Sequence, residues 1–102
     1  MISKEYFKII AMIGWQEILN KFGIRISRKS GGRKSLGIIR CPFHEEKHAS
    51  LVFYETSWFC CFGCGINGDI FHFVQKKLGL SVMGVCKFFK KEFNVPLPTF
   101  KK

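Results

Sequence analysis

The sequence predicts an α+β fold in which a small antiparallel β-sheet is flanked by short N-terminal and C-terminal helices. Apolar residues recur at helical spacing near both ends of the chain, whereas apolar and polar residues alternate in the middle. Two pairs of metal-binding side chains bracket part of this alternating region. Because a chain of 102 residues buries little apolar surface, a metal that joins the two pairs would stabilise it. One domain is expected over residues 1–95, followed by a short tail over 96–102.

Helices are expected on both sides of the sheet. At the N-terminal end, Gly14 interrupts the helical pattern, and a second short helix is predicted over 15–22. At the C-terminal end, the capping residues Asp69 and Ser81 each precede an apolar stripe at helical spacing. These features predict one helix that ends at Gly79 and a last helix that ends before the C-terminal prolines.

Two β-hairpins are predicted between these helices. Residues 24–28 and 34–40 flank a Ser-Gly-Gly turn, and residues 51–54 and 57–60 flank a second turn. The second hairpin lies between the two pairs of metal-binding residues, so the sheet and the metal site would be built from the same part of the chain.

The metal-binding pairs are Cys41 with His44 and Cys61 with Cys64, each with a two-residue spacer that lets a tight turn aim two side chains at one ion. The hairpin within the intervening residues 45–60 would bring the two turns together. Thiolate and imidazole ligands in this number are typical of tetrahedral Zn²⁺, and four protein ligands leave no position for substrate or activated water. The sequence therefore predicts one structural zinc ion.

Two further cysteines fall outside this set. Cys60 adjoins Cys61, and neighbouring residues of a strand point to opposite faces, so only one of them can reach the ion. Cys61 gives the two-residue spacing with Cys64, which assigns Cys60 to packing. Cys86 is assigned to the apolar stripe of the last helix, and His72 to a partly exposed helical position.

The cysteines also indicate a compartment. Their odd number argues against a closed set of disulfides, and paired Cys and His residues in a reducing environment are better explained by metal binding. The longest apolar run, 9–13, is too short to span a bilayer, and the first residues do not resemble a secretory signal. A cytoplasmic protein with no membrane partner is expected.

The charge distribution points to a polyanionic partner, since the formal net charge is +10 and residues 21–40 contain seven basic and no acidic side chains. Proteins that bind single-stranded nucleic acid combine such cations with aromatic faces on which bases stack. The candidate contacts are Arg33, Lys34, Arg40, Lys47, Phe53 and Trp58. A solvated basic surface without a specific partner is the alternative explanation of the charge.

Three motifs resemble the N-terminal zinc-binding domain of bacterial-type DNA primases and their phage and plasmid relatives. They are Cys-Pro-Phe-His-Glu-Glu-Lys at 41–47, Cys-Phe-Gly-Cys-Gly at 61–65 and Gly-Asp-Ile-Phe at 68–71. The resemblance implies a zinc-ribbon sheet flanked by helices, with the zinc ligands Cys41, His44, Cys61 and Cys64. It also implies a domain that engages single-stranded DNA template and helps a separate polymerase domain begin a primer. Residues 48–51 depart from the family, because His-Ala-Ser-Leu replaces a Thr-Pro-Ser-Phe-like stretch.

No catalytic activity is expected of this chain alone. Nucleotidyl transfer uses metal ions held by clustered carboxylates, and Asp69 is the only aspartate of the chain. The expected function is recognition of single-stranded DNA template in priming, with a primase catalytic domain or a replicative helicase or polymerase as partner. The alternative is a zinc-stabilised protein-interaction adaptor of a replication or mobile-element system.

Overall fold

The computed structural model describes residues 4–26, 35–43 and 49–98. These residues form three helices and a four-stranded sheet, in the order α1 (Lys4–Lys21), β1 (Ser35–Ile39), β2 (Leu51–Tyr54), β3 (Trp58–Cys61), β4 (Asn67–Asp69), α2 (Ile70–Leu78) and α3 (Val82–Phe93). The predicted α+β class, with an antiparallel sheet between N-terminal and C-terminal helices, is confirmed. None of the helices in the described ranges is long and apolar enough to cross a membrane.

The sheet is a meander in which each strand pairs antiparallel with the next one. The second predicted hairpin is confirmed as β2 and β3. Of the first predicted hairpin, the returning strand is present as β1, which pairs with β2. Residues 24–26 have no regular secondary structure, and residues 27–34 lie outside the described ranges.

Strand β4 was not predicted from the sequence. Its residues, Asn-Gly-Asp, are typical of turns, and the run that contains them carries no alternating apolar pattern. In the structure, backbone pairing with β3 holds this segment extended at the edge of the sheet, with Asp69 opposite Trp58 and Gly68 opposite Phe59. Tertiary pairing therefore overrides the local preference of the three residues.

The helix boundaries follow the predicted signals. Gly14 has φ 81° and ψ 161°, which places a break inside α1, and glycine adopts this conformation without steric cost. Helix α2 is capped by Asp69 and followed by Gly79 in the left-handed conformation. Ser81 caps the start of α3, which ends at Phe93 with Asn94 as its C-cap, before the prolines.

Aromatic side chains from α1, the sheet and α2 form the centre of the core. The ring centroid of Trp15 lies 4.7 Å from that of Phe53, 5.9 Å from Phe59 and 5.4 Å from Phe73. All four side chains are buried. One face of the sheet is therefore covered by helices, and this packing fixes the position of the strand ends that carry the candidate site.

Candidate metal centre and nucleic-acid surface

The thiols of Cys41, Cys61 and Cys64 converge on one point. Their sulfur atoms all lie within 4.8 Å of one another, and the Sγ atoms of Cys41 and Cys64 are 4.0 Å apart. Two sulfurs bound to one zinc at about 2.3 Å in a tetrahedron are separated by about 3.8 Å. The three cysteines therefore fit the sulfur ligands of a tetrahedral zinc site.

The turn after β3 shapes the second half of this centre. Cys61 is the last residue of β3, and its carbonyl accepts a 2.9 Å hydrogen bond from the backbone N–H of Gly65. Gly65 has φ 80°, a conformation that glycine adopts readily and that returns the chain toward β4. The tight turn thereby places Cys64 beside Cys61, as the two-residue spacing predicts.

The thiols of Cys61 and Cys41 have pKa values shifted in opposite directions. Burial tends to raise the pKa of Cys61, but hydrogen bonds from the Ser50 hydroxyl and from the backbone N–H groups of Cys64 and Gly63 outweigh it and lower that pKa to about 7. Burial, with a smaller contribution from Cys61, raises the pKa of Cys41 to about 12. Because metal ligation requires thiolates, zinc must displace the Cys41 proton.

Sequence reasoning missed the role of Ser50 at this centre. Its Oγ lies 3.3 Å from the Sγ of Cys61, its N–H donates to the carbonyl of Ile39, and its carbonyl accepts from the N–H of Phe62. Ser50 therefore ties the strands on both sides of the site together and orients one ligand sulfur. The signal was present in the sequence, since this serine is the residue that the 48–51 stretch shares with the Thr-Pro-Ser-Phe-like pattern.

The remaining cysteines lie where the strand and helix patterns placed them. Cys60 is partly buried, pairs with Val52 across the sheet, and is not in the cluster of converging thiols. Cys86 is fully buried in α3. Among the cysteines, the structure thus brings together Cys41, Cys61 and Cys64 and keeps the other two apart from them.

Several predicted site residues lie outside the described ranges. They are the fourth predicted ligand, His44, and three of the basic candidates for nucleic-acid contact, Arg33, Lys34 and Lys47. Their roles stay predictions.

The structure corrects the prediction that Phe53 contacts nucleic acid. Its side chain is fully buried, with its ring centroid 4.7 Å from that of Trp15 and 5.5 Å from that of Phe73. Alternation along β2 separates two faces of the sheet, but it does not say which face the helices cover. Because α1 and α2 pack on the face that carries Phe53, no nucleobase can stack on this ring.

Two other predicted contacts are on the surface. Trp58 lies on the opposite face of β3 from the buried Phe59, and 44% of its surface is exposed. Arg40 is exposed and directly precedes the ligand candidate Cys41. Phe62, in the turn between Cys61 and Cys64, is 69% exposed. Phe62 and Arg40 therefore adjoin the cysteines in sequence, whereas Trp58 lies at the other end of β3 from Cys61.

Known proteins are similar to this chain in sequence and in fold. A family model described as CHC2 zinc finger matches residues 5–102. The DNA primase of Chlamydia trachomatis is 41% identical over 58 residues, which cover 56% of this chain and 10% of that protein. The DNA primase of Halalkalibacterium halodurans is 34% identical over 83 residues, which cover 80% of this chain and 14% of that protein.

The fold is similar to a crystal structure of the Aquifex aeolicus primase that contains its zinc binding and RNA polymerase domains. The TM-score is 0.73 at 21% sequence identity, and the match covers 98% of this chain and 23% of that one. The chain therefore spans a small part of each of these relatives, between 10% and 23% of their length.

Proposed function

The chain belongs to the CHC2 zinc finger family of bacterial-type DNA primases, and from that premise we propose that it binds single-stranded DNA template and supports primer initiation. The polymerase activity in this proposal resides in a separate primase catalytic domain. A domain stabilised by such a zinc ion contributes a binding surface and not a catalytic metal, because four protein ligands fill the coordination positions of the ion.

Zinc has a structural role in this proposal, with His44 as the fourth ligand. His44 directly follows Phe43, whose ring centroid lies 5.5 Å from that of the buried Phe73. This contact anchors the first turn to the core and keeps Cys41 beside the second turn. A bound zinc ion would lock the two turns together and hold the adjacent sheet surface in one shape.

The exposed indole of Trp58 is the observation that best supports DNA binding. The other described tryptophan is buried in the core, whereas 44% of Trp58 faces solvent at the start of β3. Stacking of one base on such a ring contributes about 1 to 3 kcal/mol. The formal net charge of +10 supplies the attraction for phosphates that single-strand binders require.

Replacing Trp58 by alanine is expected to weaken binding of a single-stranded oligonucleotide by roughly tenfold, because the stacking platform is lost. Arg40→Ala should instead reduce the steepness with which affinity falls as salt rises, by about 0.7 in the logarithmic slope for each lost phosphate contact. Fluorescence anisotropy of a labelled oligonucleotide across a salt series measures both effects.

Val82→Ala is the matched control, since Val82 is 42% exposed but lies on α3. It should leave the affinity unchanged. Affinity that does not change between low and moderate salt would contradict the electrostatic part of the proposal. If the zinc-loaded chain bound no oligonucleotide even at low salt, the template-binding function would be wrong and the adaptor alternative would be favoured.

A further inference from the structure

A pocket beside α2 is lined by none of the converging thiols, and we propose that it holds one base of the bound DNA strand. The pocket has a volume of about 190 Å³ and is lined by Phe59, Ile66, Asn67, His72, Gln75 and Lys76. The proposal rests on the proposed function of single-stranded DNA binding and adds a specific base site to it.

Gly68 and Asp69 of β4 hold His72 at the pocket wall. A Cβ atom on Gly68 would lie 2.8 Å from the Cβ of His72 and 3.3 Å from the ring of Phe59, so only glycine lets the histidine approach the strand this closely. Asp69 Oδ1 accepts a 2.9 Å hydrogen bond from the backbone N–H of His72, and the ring Nδ1 of His72 lies 2.7 Å from the same oxygen. Asp69 therefore holds His72 through both the backbone N–H and the imidazole ring.

The contact with Asp69 also determines what the imidazole offers a ligand. A carboxylate only accepts hydrogen bonds, so in this contact Nδ1 of His72 carries the hydrogen and donates a hydrogen bond to Asp69. In the neutral ring, Nε2 is then an acceptor. The side chain of His72 is 63% exposed, which leaves this second nitrogen accessible to a donor group on a base.

The other pocket residues match the chemistry of a nucleobase. The side-chain amides of Asn67 and Gln75 carry donors and acceptors of the kind that pair with base edges. The Nδ2 of Asn67 donates to the carbonyl of Gly65 at 3.1 Å, and its Oδ1 can accept from a ligand. Ile66, which is partly exposed, supplies apolar surface for a flat ring, whereas Phe59 belongs to the buried core behind the pocket. The volume is below the roughly 300 Å³ at which pockets for drug-sized ligands begin, and so favours a small ring system.

The charges around the pocket favour an anionic strand. Lys76 lies one helical turn after His72 on the same side of α2 and is exposed, where it can neutralise a phosphate. The only acidic residue of 70–98 is Glu92, whose carboxylate is paired with Lys21 at 2.6 Å. Asp69, which lies between the pocket residues Asn67 and His72 in sequence, is engaged by His72.

The pocket is also connected to the proposed stacking platform. Asp69 lies opposite Trp58 in the register of β3 and β4, so the carboxylate that fixes His72 is the cross-strand neighbour of the exposed indole. A strand with one base stacked on Trp58 would have an adjacent nucleotide near the pocket. The two features then form one continuous binding surface across the sheet edge.

The test uses the full zinc-loaded chain and a set of short single-stranded oligonucleotides in which each nucleotide in turn is replaced by an abasic site. In the wild type, one position is expected to lose roughly fivefold or more in affinity, which corresponds to the lower end of a well-formed amide–base contact. In Gln75→Ala, loss of the base at that position should have little further effect. Lys76→Ala should weaken binding more than Lys77→Ala, the neighbouring lysine that does not line the pocket.

The outcomes separate this proposal from the function on which it rests. Equal responses of the wild type and Gln75→Ala at every abasic position, or equal affinities of Lys76→Ala and Lys77→Ala, would overturn the base pocket while leaving DNA binding intact. Absence of binding by the wild type at low salt would overturn both. Zinc content measured on each variant shows that a changed affinity does not come from loss of the fold.

Discussion

Replacing Cys61 by serine is expected to abolish zinc binding and to leave the isolated chain largely unfolded. Zinc binding in small modules supplies roughly 10 to 16 kcal/mol of apparent free energy. The free energy of unfolding of a typical domain is about 5 to 15 kcal/mol. Loss of the ion therefore removes a free energy as large as the entire stability of the domain. Zinc content by elemental analysis and secondary structure by circular dichroism, measured on the purified variant, check both parts of this expectation.

The neighbouring cysteine provides a closely matched control. Cys60 precedes Cys61 in β3 but is not in the thiol cluster, so Cys60→Ser should keep one zinc and change the free energy of unfolding by about 1 kcal/mol or less. Loss of zinc from Cys60→Ser, or retention of zinc by Cys61→Ser, would contradict the assignment of Cys61, and not Cys60, as the zinc ligand.

Truncation of Phe73 to alanine is expected to destabilise the zinc-loaded chain by about 3 to 5 kcal/mol, as observed for large aromatic residues in cores. Phe73 is fully buried, and its ring centroid lies within 6.4 Å of five other aromatic rings, those of Trp15, Phe22, Phe43, Phe53 and Phe59. The side chain thus joins α1, the first metal-binding turn and the sheet. Denaturant unfolding at saturating zinc measures the change in free energy.

Phe62→Ala makes the same chemical change at a position that is 69% exposed. It should alter the free energy of unfolding by about 0.5 kcal/mol or less. Similar losses for the two variants would mean that the aromatic cluster around Phe73 is not the centre of the core.

Local signals were sufficient to predict the helices and the grouping of the cysteines. Asp69 and Ser81 cap the helices that follow them, and Gly14 breaks the first helix, because these effects act within one or two turns of the chain. The two-residue spacing of Cys61 and Cys64 likewise fixes a tight turn. Strand alternation separated Cys60 from the site for the same local reason.

Features that depend on tertiary contacts were not predictable in this way. The burial of Phe53 depends on which sheet face α1 and α2 cover, and the extended conformation of β4 depends on pairing with β3. His72 was expected to be a partly exposed helical residue, which it is. Its fixed ring was not expected, because that requires the close approach permitted by Gly68 and the side chain of Asp69.

X-ray absorption at the zinc edge tests the central claim most directly, because it reports the ligands of the bound ion in the purified chain. The proposed set of Cys41, His44, Cys61 and Cys64 requires three sulfur ligands at about 2.3 Å and one nitrogen ligand at about 2.0 Å. A shell of four sulfurs, or one with fewer than three, would contradict it.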